Sequence, residues 1–171
     1  MKLKINLEDK EYPFLGITHT RVVVRGIVLN KENKIAILRI EREDIFGKSS
    51  YYETPGGGKE DDETLEDGFI REIDEELGVL CEIKEEIGVV EDYYNLIYRK
   101  NINHYFLAKT LKDTKIHHES FGDSFIKDIL WLSLDEAIDL FRNMGDTGLP
   151  KIVKERELPV LLKAKELLGG N

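Results

Sequence analysis

The sequence predicts an α/β fold in a single domain that spans residues 1–171. Two runs rich in β-branched residues, 17–29 and 34–42, flank a turn-forming segment and predict a β-hairpin. Apolar residues then recur with helical spacing in segment 64–77, and strand-like runs follow it. A chain of this length suits one domain with a sizeable hydrophobic core.

The segments around the hairpin are predicted to complete a sheet edge and lead into the helix. Residues 1–7 alternate apolar and charged side chains, which indicates an edge strand. Gly26 lies inside the first hairpin strand and indicates a bulge or a close approach to the backbone. Segment 43–50 is polar and is predicted to be a loop. Segment 51–54 then leads into a proline and three consecutive glycines.

The central helix is predicted to begin near Thr64, because Thr64 and Asp67 have the spacing of a capping box. Gly78 stands where a helix commonly ends with a glycine. The apolar residues between these ends recur every four positions and indicate one buried face. This predicted face consists of Phe69, Ile73 and Leu77.

Strands are predicted to follow the helix at 79–90, 102–109 and 125–132. The polar segment 113–124 separates the last two of these and is predicted to be a loop.

Two helices are predicted near the end of the chain. Ser133 is expected to cap the first, which ends near Arg142. Pro159 fits the first position of the second, which is predicted to run to residue 168.

The charge balance argues against a polyanionic partner. The chain has 25 basic and 34 acidic residues, which gives a net charge of −9. Such a charge opposes binding to a nucleic-acid polymer or to an anionic membrane surface. A small anionic substrate remains compatible, because bound divalent cations can invert the local charge of a site.

No segment predicts export or membrane insertion. The N-terminal residues lack an apolar core of the signal-peptide kind, and no apolar run approaches the roughly 18 residues that span a bilayer. The single cysteine, Cys81, forms no intrachain disulfide, which fits a reducing compartment. We therefore expect a cytoplasmic protein with no membrane partner, and the sequence leaves open whether it forms a homodimer.

Three glutamates are predicted to share one face of the central helix. Glu72, Glu75 and Glu76 stand at positions i, i+3 and i+4. Like charges at this spacing repel one another, so the cluster favours a bound cation over a solvated helix face. Hard divalent ions such as Mg²⁺ take oxygen ligands and are commonly bridged to substrate phosphates.

The stretch from Gly57 to Val79 reads G-x5-E-x7-R-E-U-x-E-E-x-G-U, where U is aliphatic. This pattern resembles the Nudix box, with no defining position missing. The resemblance implies a Nudix-type α/β/α sandwich with a mixed β-sheet. It also implies a Nudix pyrophosphohydrolase that cleaves a diphosphate linkage in a nucleoside diphosphate derivative, namely a nucleoside triphosphate, an ADP-ribose-like compound or a nucleotide sugar. The box positions are Gly57, Glu63, Arg71, Glu72, Ile73, Glu75, Glu76, Gly78 and Val79.

The resemblance implies that Glu72 and Glu76 are the strongest ligands of one or more Mg²⁺ or Mn²⁺ ions. Glu75 and the carbonyl of Gly56 are expected to complete the metal site. Proteins of this family usually carry a small residue at the position of Gly68, and we interpret it as allowing close packing of the helix on the sheet.

Supporting roles are implied for four further residues. Arg71 is expected to fix a neighbouring carboxylate by paired hydrogen bonds. Gly57 allows close approach to metal or phosphate, and Glu63 is expected to brace the loop that precedes the helix. Glu60 stands where many family members carry an additional acid.

Two regions of the chain offer candidates for the general base. Some members of the family use the glutamate at the position of Glu72, and others use an acid from a later loop. Here that loop is 113–124, in which we favour Glu119 over Asp123.

The sequence carries few indications of which substrate is preferred. The proline associated with ADP-ribose hydrolases is missing, since the next proline after Pro55 is Pro150. Tyrosines such as Tyr51 and Tyr94 could stack a base, although aromatic residues in strands more often belong to the core. The alternative to an enzyme is a non-catalytic nucleotide-sensing domain, and the complete set of box carboxylates favours catalysis.

Overall fold

The computed structural model describes residues 1–118 and 122–169. In this part of the chain eight strands form one mixed sheet. The strands are β1 (Leu3–Asn6), β2 (His19–Leu29), β3 (Ile35–Asp44), β4 (Gly47–Glu53), β5 (Gly56–Gly58), β6 (Val79–Tyr94), β7 (Arg99–Asp113) and β8 (Ile126–Leu132). The α-helices are α1 (Leu65–Leu77), α2 (Leu134–Arg142) and α3 (Gly148–Leu167), and two short 3₁₀ helices lie at Asn95–Ile97 and Gly122–Phe125.

The predicted hairpin is present and joins two parts of the sheet. Strands β2 and β3 pair next to their turn, where Leu29 lies opposite Ile35. Beyond the turn β2 pairs with β5 on one edge and β7 on the other, whereas β3 pairs with β4 and β8. The pairs β1–β6 and β2–β7 are parallel and the others are antiparallel, which confirms a mixed sheet.

Helices α1 and α3 cover opposite faces of this sheet. Gly26 faces α1, because a Cβ atom there would lie 2.6 Å from the ring of Phe69. The preceding residue, Arg25, points to the other face. Its partner in the β2–β7 register is Tyr105, whose hydroxyl donates to Glu157 of α3. The α/β/α arrangement is therefore confirmed.

The central helix has the predicted ends. Thr64 caps α1, with its Oγ1 accepting from the N–H of Asp67 at 3.1 Å, and Gly78 ends it with a φ of 65°. The prediction for Gly68 was wrong. A Cβ atom there would lie 2.8 Å from Oε1 of Glu63, so its missing side chain makes room for Glu63, and close packing on the sheet depends on Gly26. The predicted buried face of Phe69, Ile73 and Leu77 is confirmed.

The predicted loop at 43–50 is largely strand. β3 continues to Asp44, and β4 begins at Gly47 after a tight turn in which Oδ1 of Asp44 accepts from the N–H of Phe46. The residues are polar because the ends of both strands are solvent-exposed, not because the backbone leaves the sheet.

The last helix begins at Gly148, so the predicted start at Pro159 was wrong. Proline supplies no N–H to the helix interior, and one helical hydrogen bond is therefore missing there. The helix continues because its neighbours pack into the protein. Val153, Arg156, Glu157, Val160 and Leu161 are all buried. Tertiary packing here outweighs the local preference of proline.

No helix in the described ranges is long and apolar enough to cross a membrane.

Candidate active site

A cleft of about 560 Å³ opens beside the glycine turn and the box helix. Strands β2 and β5 and helix α1 form one side of it. Its other side includes residues of β3, β4 and β6, and the 3₁₀ helix Gly122–Phe125. Residues distant in sequence therefore meet around one concave space, which is the usual location of a small-molecule site.

Three buried carboxylates converge in this cleft. Glu72 and Glu76 project from α1, and Asp123 comes from the 3₁₀ helix Gly122–Phe125. One carboxylate oxygen of each lies within 4.8 Å of the other two. The side-by-side placement expected for Glu72 and Glu76 is present, and they are joined by Asp123, the less favoured of the two loop candidates for the general base.

The charge on the two helix carboxylates, Glu72 and Glu76, is disfavoured in the protein alone. Burial raises the pKa of Glu72 to about 7, with Glu75 and Asp123 adding to the shift and Arg71 opposing it. Burial also raises the pKa of Glu76 well above its ordinary value, and Asp123 and Glu72 raise it further. A set of oxygen donors that repel one another fits a hard divalent cation.

Arg71 connects the box loop to the box helix. Its Nε and Nη2 donate to the two oxygens of Glu63 at 2.9 and 2.6 Å. Its Nη1 donates to Glu72 at 3.0 Å and to Glu75 at 3.2 Å, and Nη2 also reaches the carbonyl of Gly58. Hydrogen bonding from Arg71 lowers the pKa of Glu63 to about 2. Glu75 is thus held by Arg71 and is not among the three converging carboxylates.

The glycine turn allows the carboxylates to approach the backbone. The N–H of Gly56 donates to Oε1 of Glu76 at 2.7 Å. A Cβ atom on Gly57 would lie 2.6 Å from the carboxylate carbon of Glu72. Any side chain at Gly57 would therefore displace Glu72.

Two other residues were also singled out in the sequence. Glu60 is exposed at the rim of the cleft, and its N–H donates to Glu63 at 2.8 Å. Glu119, the favoured general base, lies outside the described residues.

Four arginines in the cleft were not singled out from the sequence. Arg21, Arg25, Arg42 and Arg99 all line it together with Arg71. The alternation of β2 places Arg21 and Arg25 on one face and could have indicated them. The position of Arg99 depends on the parallel pairing of β2 with β7, which the sequence does not show.

Apolar and aromatic residues form another part of the cleft wall. Tyr51 and Tyr94 are buried, as expected of core residues, and they also line the cleft, so base stacking by them stays a prediction. Phe46 and Phe125 both lie close to the guanidinium of Arg42, whose Cζ is 5.4 and 4.7 Å from the two ring centroids.

A family model described as the NUDIX domain matches residues 19–155. The chain belongs to the NUDIX domain family. The matched range includes the glycine turn, α1, Asp123 and all the arginines of the cleft. Family membership and the geometry of the box therefore rest on the same part of the chain.

A relative at the sequence level is the ADP-ribose pyrophosphatase of Methanocaldococcus jannaschii, which is 37% identical over 71 residues. The alignment covers 42% of this chain and only 40% of the relative.

Solved structures of low identity share the fold. A NUDIX hydrolase from Nitrosomonas europaea matches with a TM-score of 0.64 and 15% identity, covering 86% of this chain and 89% of that one. The MutT protein of Methanosarcina mazei Go1 matches with a TM-score of 0.61 and 20% identity, covering 91% of this chain and 99% of that one.

Proposed function

We propose that this NUDIX domain is a pyrophosphohydrolase that cleaves a diphosphate linkage in a nucleoside diphosphate derivative and depends on a divalent metal. The observation that carries this proposal is the convergence of Glu72, Glu76 and Asp123 in an arginine-lined cleft. Buried carboxylates hold cations, and the arginines suit an anionic substrate. Together they bring metal and phosphate to one place.

Glu72, Glu76 and Asp123 would hold Mg²⁺ or Mn²⁺. Glu75 and the carbonyl of Gly56 are further candidate ligands. When bound, the metal supplies neutralisation of the phosphate oxygens and a lower pKa for an attacking water. All three converging groups offer only oxygen, which favours Mg²⁺ over softer metals.

The residues of the chain position the reaction. Arg71 fixes the orientation of Glu72, because it is itself held by Glu63 and by the carbonyl of Gly58. Water attacks one phosphorus of the diphosphate, the bridging oxygen leaves with the other phosphate, and a carboxylate accepts the proton of the water. Glu72, Asp123 and Glu119 are the candidate acceptors, and the contact of Asp123 with both helix carboxylates favours a ligand role for it.

The activity test is a panel of compounds with Mg²⁺. It contains nucleoside triphosphates, ADP-ribose, dinucleoside polyphosphates and nucleotide sugars, and products that contain phosphate are measured. ADP-ribose belongs in the panel because the aligned relative is an ADP-ribose pyrophosphatase. We expect turnover of at least one compound and a loss of at least about a thousandfold in Glu76→Gln, since several kcal/mol of charge stabilisation depend on the metal.

Glu66→Gln is the matched control, because Glu66 is an exposed glutamate of the same helix. Turnover that survives in Glu76→Gln would refute the proposed mechanism. Tight binding of a nucleotide without turnover of any compound would identify the nucleotide-sensing alternative instead. Glu119→Gln and Asp123→Asn, compared on the best substrate, then separate the proton acceptor from the metal ligand through the metal concentration needed for half-maximal rate.

A further inference from the structure

Two arginines lie together in the cleft beyond the carboxylates. Arg21 lies on β2 and Arg99 begins β7, and the parallel register pairs His19 with Arg99 and Arg21 with Asn101. Paired residues of adjacent strands point to the same face, as do residues two positions apart. Arg21 and Arg99 therefore share one face of the sheet, and both line the cleft.

These two arginines differ from the others in the cleft. Arg71 contacts three glutamates, Arg42 pairs with Asp44, and the Nη1 of Arg25 lies 3.7 Å from Glu53. Within residues 1–118 and 122–169, neither Arg21 nor Arg99 has a carboxylate within the 4.0 Å distance of an ion pair. Arg99 instead stacks on the ring of Tyr94, with its Cζ 5.0 Å from the ring centroid, and its buried Nε has no hydrogen-bond partner in the described chain.

Electrostatics agree with the lack of an anionic partner. Burial lowers the pKa of Arg99 to about 10, and the nearby Arg21 lowers it further. Burial also lowers the pKa of Arg21, and Arg25 adds to that shift. Half-buried cations that repel one another gain from a bound anion, and the planar guanidinium group matches the oxygens of phosphate.

Their place in the sheet separates them from the carboxylates. Gly57, which touches Glu72, lies on β5, and β5 and β7 flank opposite edges of β2. Two strand spacings of about 4.8 Å place β7 roughly 10 Å from β5. Arg21 lies between them, because its Nε would be 3.0 Å from a Cβ atom on Gly58. A path therefore runs from Glu72 past Arg21 to Arg99.

We propose that Arg21 and Arg99 bind a third phosphate of the substrate, beyond the diphosphate that the carboxylates hold through the metal. This inference rests on the proposed function and narrows it. The preferred substrates are then nucleoside triphosphates or longer polyphosphates. Compounds whose far end is a neutral sugar, such as ADP-ribose, leave the two guanidinium groups without an anion and are poorer substrates.

The kinetic test compares ATP with ADP-ribose in the wild type and in Arg99→Gln. We expect kcat/KM for ATP to fall about 10- to 100-fold, the usual effect of losing a charge-assisted hydrogen bond, and that for ADP-ribose to change less than about threefold. Arg99→Lys keeps the positive charge but lacks the planar guanidinium group that can bond two oxygens at once. It is therefore expected to retain part of the kcat/KM for ATP that Arg99→Gln loses. Arg39→Gln is the control, since Arg39 pairs with Glu41 outside the cleft.

A binding test needs no turnover. Calorimetry in EDTA measures the dissociation constants of inorganic tripolyphosphate and inorganic pyrophosphate. We expect the wild type to bind tripolyphosphate about tenfold more tightly than pyrophosphate, and Arg99→Gln to lose that difference. Thermal unfolding of each variant shows that it is folded.

Three outcomes decide between the two proposals. Equal losses for both compounds in Arg99→Gln, or no loss for either, would overturn the third-phosphate subsite. No turnover of any nucleotide by the wild type, with the tripolyphosphate preference intact, would overturn the enzymatic function and leave the subsite standing.

Discussion

Two groups of buried charges lie within this fold, and they are built in opposite ways. In the cleft, Glu72, Glu76 and Asp123 converge with charges of one sign. Behind it, Arg156 and Glu157 of α3 are 1% and 0% exposed and carry opposite charges. Burial is similar in the two groups, so burial alone does not tell a functional charge from a structural one.

The charges on α3 are matched by their surroundings. The Nη1 of Arg156 donates to the hydroxyl of Tyr94 at 2.6 Å and lies 3.3 Å from Asp92. One oxygen of Glu157 accepts from the N–H and the hydroxyl of Thr54, and the other accepts from Tyr105. The carboxylates in the cleft also have partners, since Arg71 donates to Glu72 and the N–H of Gly56 donates to Glu76, but they converge on one another with charge of one sign. Convergence of like charge, not burial, marks the site.

The largest expected effect comes from breaking the matched group. Arg156→Met removes the cation and leaves Asp92 facing an apolar side chain, so the free energy of unfolding should fall by about 3–5 kcal/mol. Guanidinium chloride denaturation measures it. Arg39→Met, at a half-exposed position outside the cleft, should change stability by less than about 0.5 kcal/mol. Equal effects of the two variants would show that the α3 group is not a matched network.

The converging carboxylates should respond in the opposite direction. Without metal at pH 8, Glu76→Gln replaces a carboxyl group whose charged form is disfavoured by burial and by Asp123 and Glu72, and the amide can retain the hydrogen bond from Gly56. We expect the free energy of unfolding to rise by about 1–3 kcal/mol, the range for relieving one uncompensated buried group. Glu66→Gln should leave it unchanged. A destabilised Glu76→Gln protein would mean that the carboxylates are already compensated within the chain.

The pH dependence sharpens the same contrast. The pKa of Glu72 is raised from 4.5 to about 7, so its contribution to stability is fully present below pH 4.5 and is lost as the pH rises through 7. At lower pH a metal ion must displace this proton in order to bind. The apparent affinity of the protein for the metal should therefore weaken about tenfold per pH unit below pH 7.

Thermal unfolding with and without Mg²⁺ between pH 5.5 and 8 measures this dependence. The increase in Tm that Mg²⁺ causes should be larger at pH 8 than at pH 5.5, and it should be lost in Glu76→Gln. A pH-independent increase would place the ion at another site.

The smallest effect is expected beside the converging carboxylates, where Glu63 and Arg71 form an ion pair. Glu63→Gln should cost about 1 kcal/mol, since the pair is partly exposed to solvent. The lowered pKa of Glu63, about 2, means that its contribution is present above pH 4.5 and is lost as the pH falls through 2. Acid denaturation of the two proteins should therefore converge near pH 2. A constant difference down to that pH would argue against the ion pair.

Local patterns were enough to predict the box helix, the hairpin and α2. Thr64, Gly78 and Ser133 cap helices through contacts with residues three or four positions away, and such contacts can be seen in the sequence. The start of α3 could not be predicted in this way, because packing against distant elements keeps Pro159 inside a helix.

The residues of the site fall into the same two classes, those placed by local spacing and those placed by contacts between distant segments. Glu72 and Glu76 share a face by helical spacing alone. Asp123 joins them through the 3₁₀ helix that precedes β8, and Arg99 meets Arg21 through a parallel strand pair. The proximity of these residues depends on the path of the whole chain, so no spacing in the sequence indicates it.

The bond from Thr54 to Glu157 has a consequence for how the protein is made. Thr54 stands just before the glycine turn, and its N–H donates at 2.7 Å to Glu157 of α3, a helix that the ribosome synthesises about a hundred residues later. Domains acquire contacts of this range late. The box helix can form on the nascent chain, but the segment that leads into its glycine turn gains this anchor only after α3 has emerged. We expect chains stalled before residue 148 to show weaker Mg²⁺-dependent protection from proteolysis than released chains.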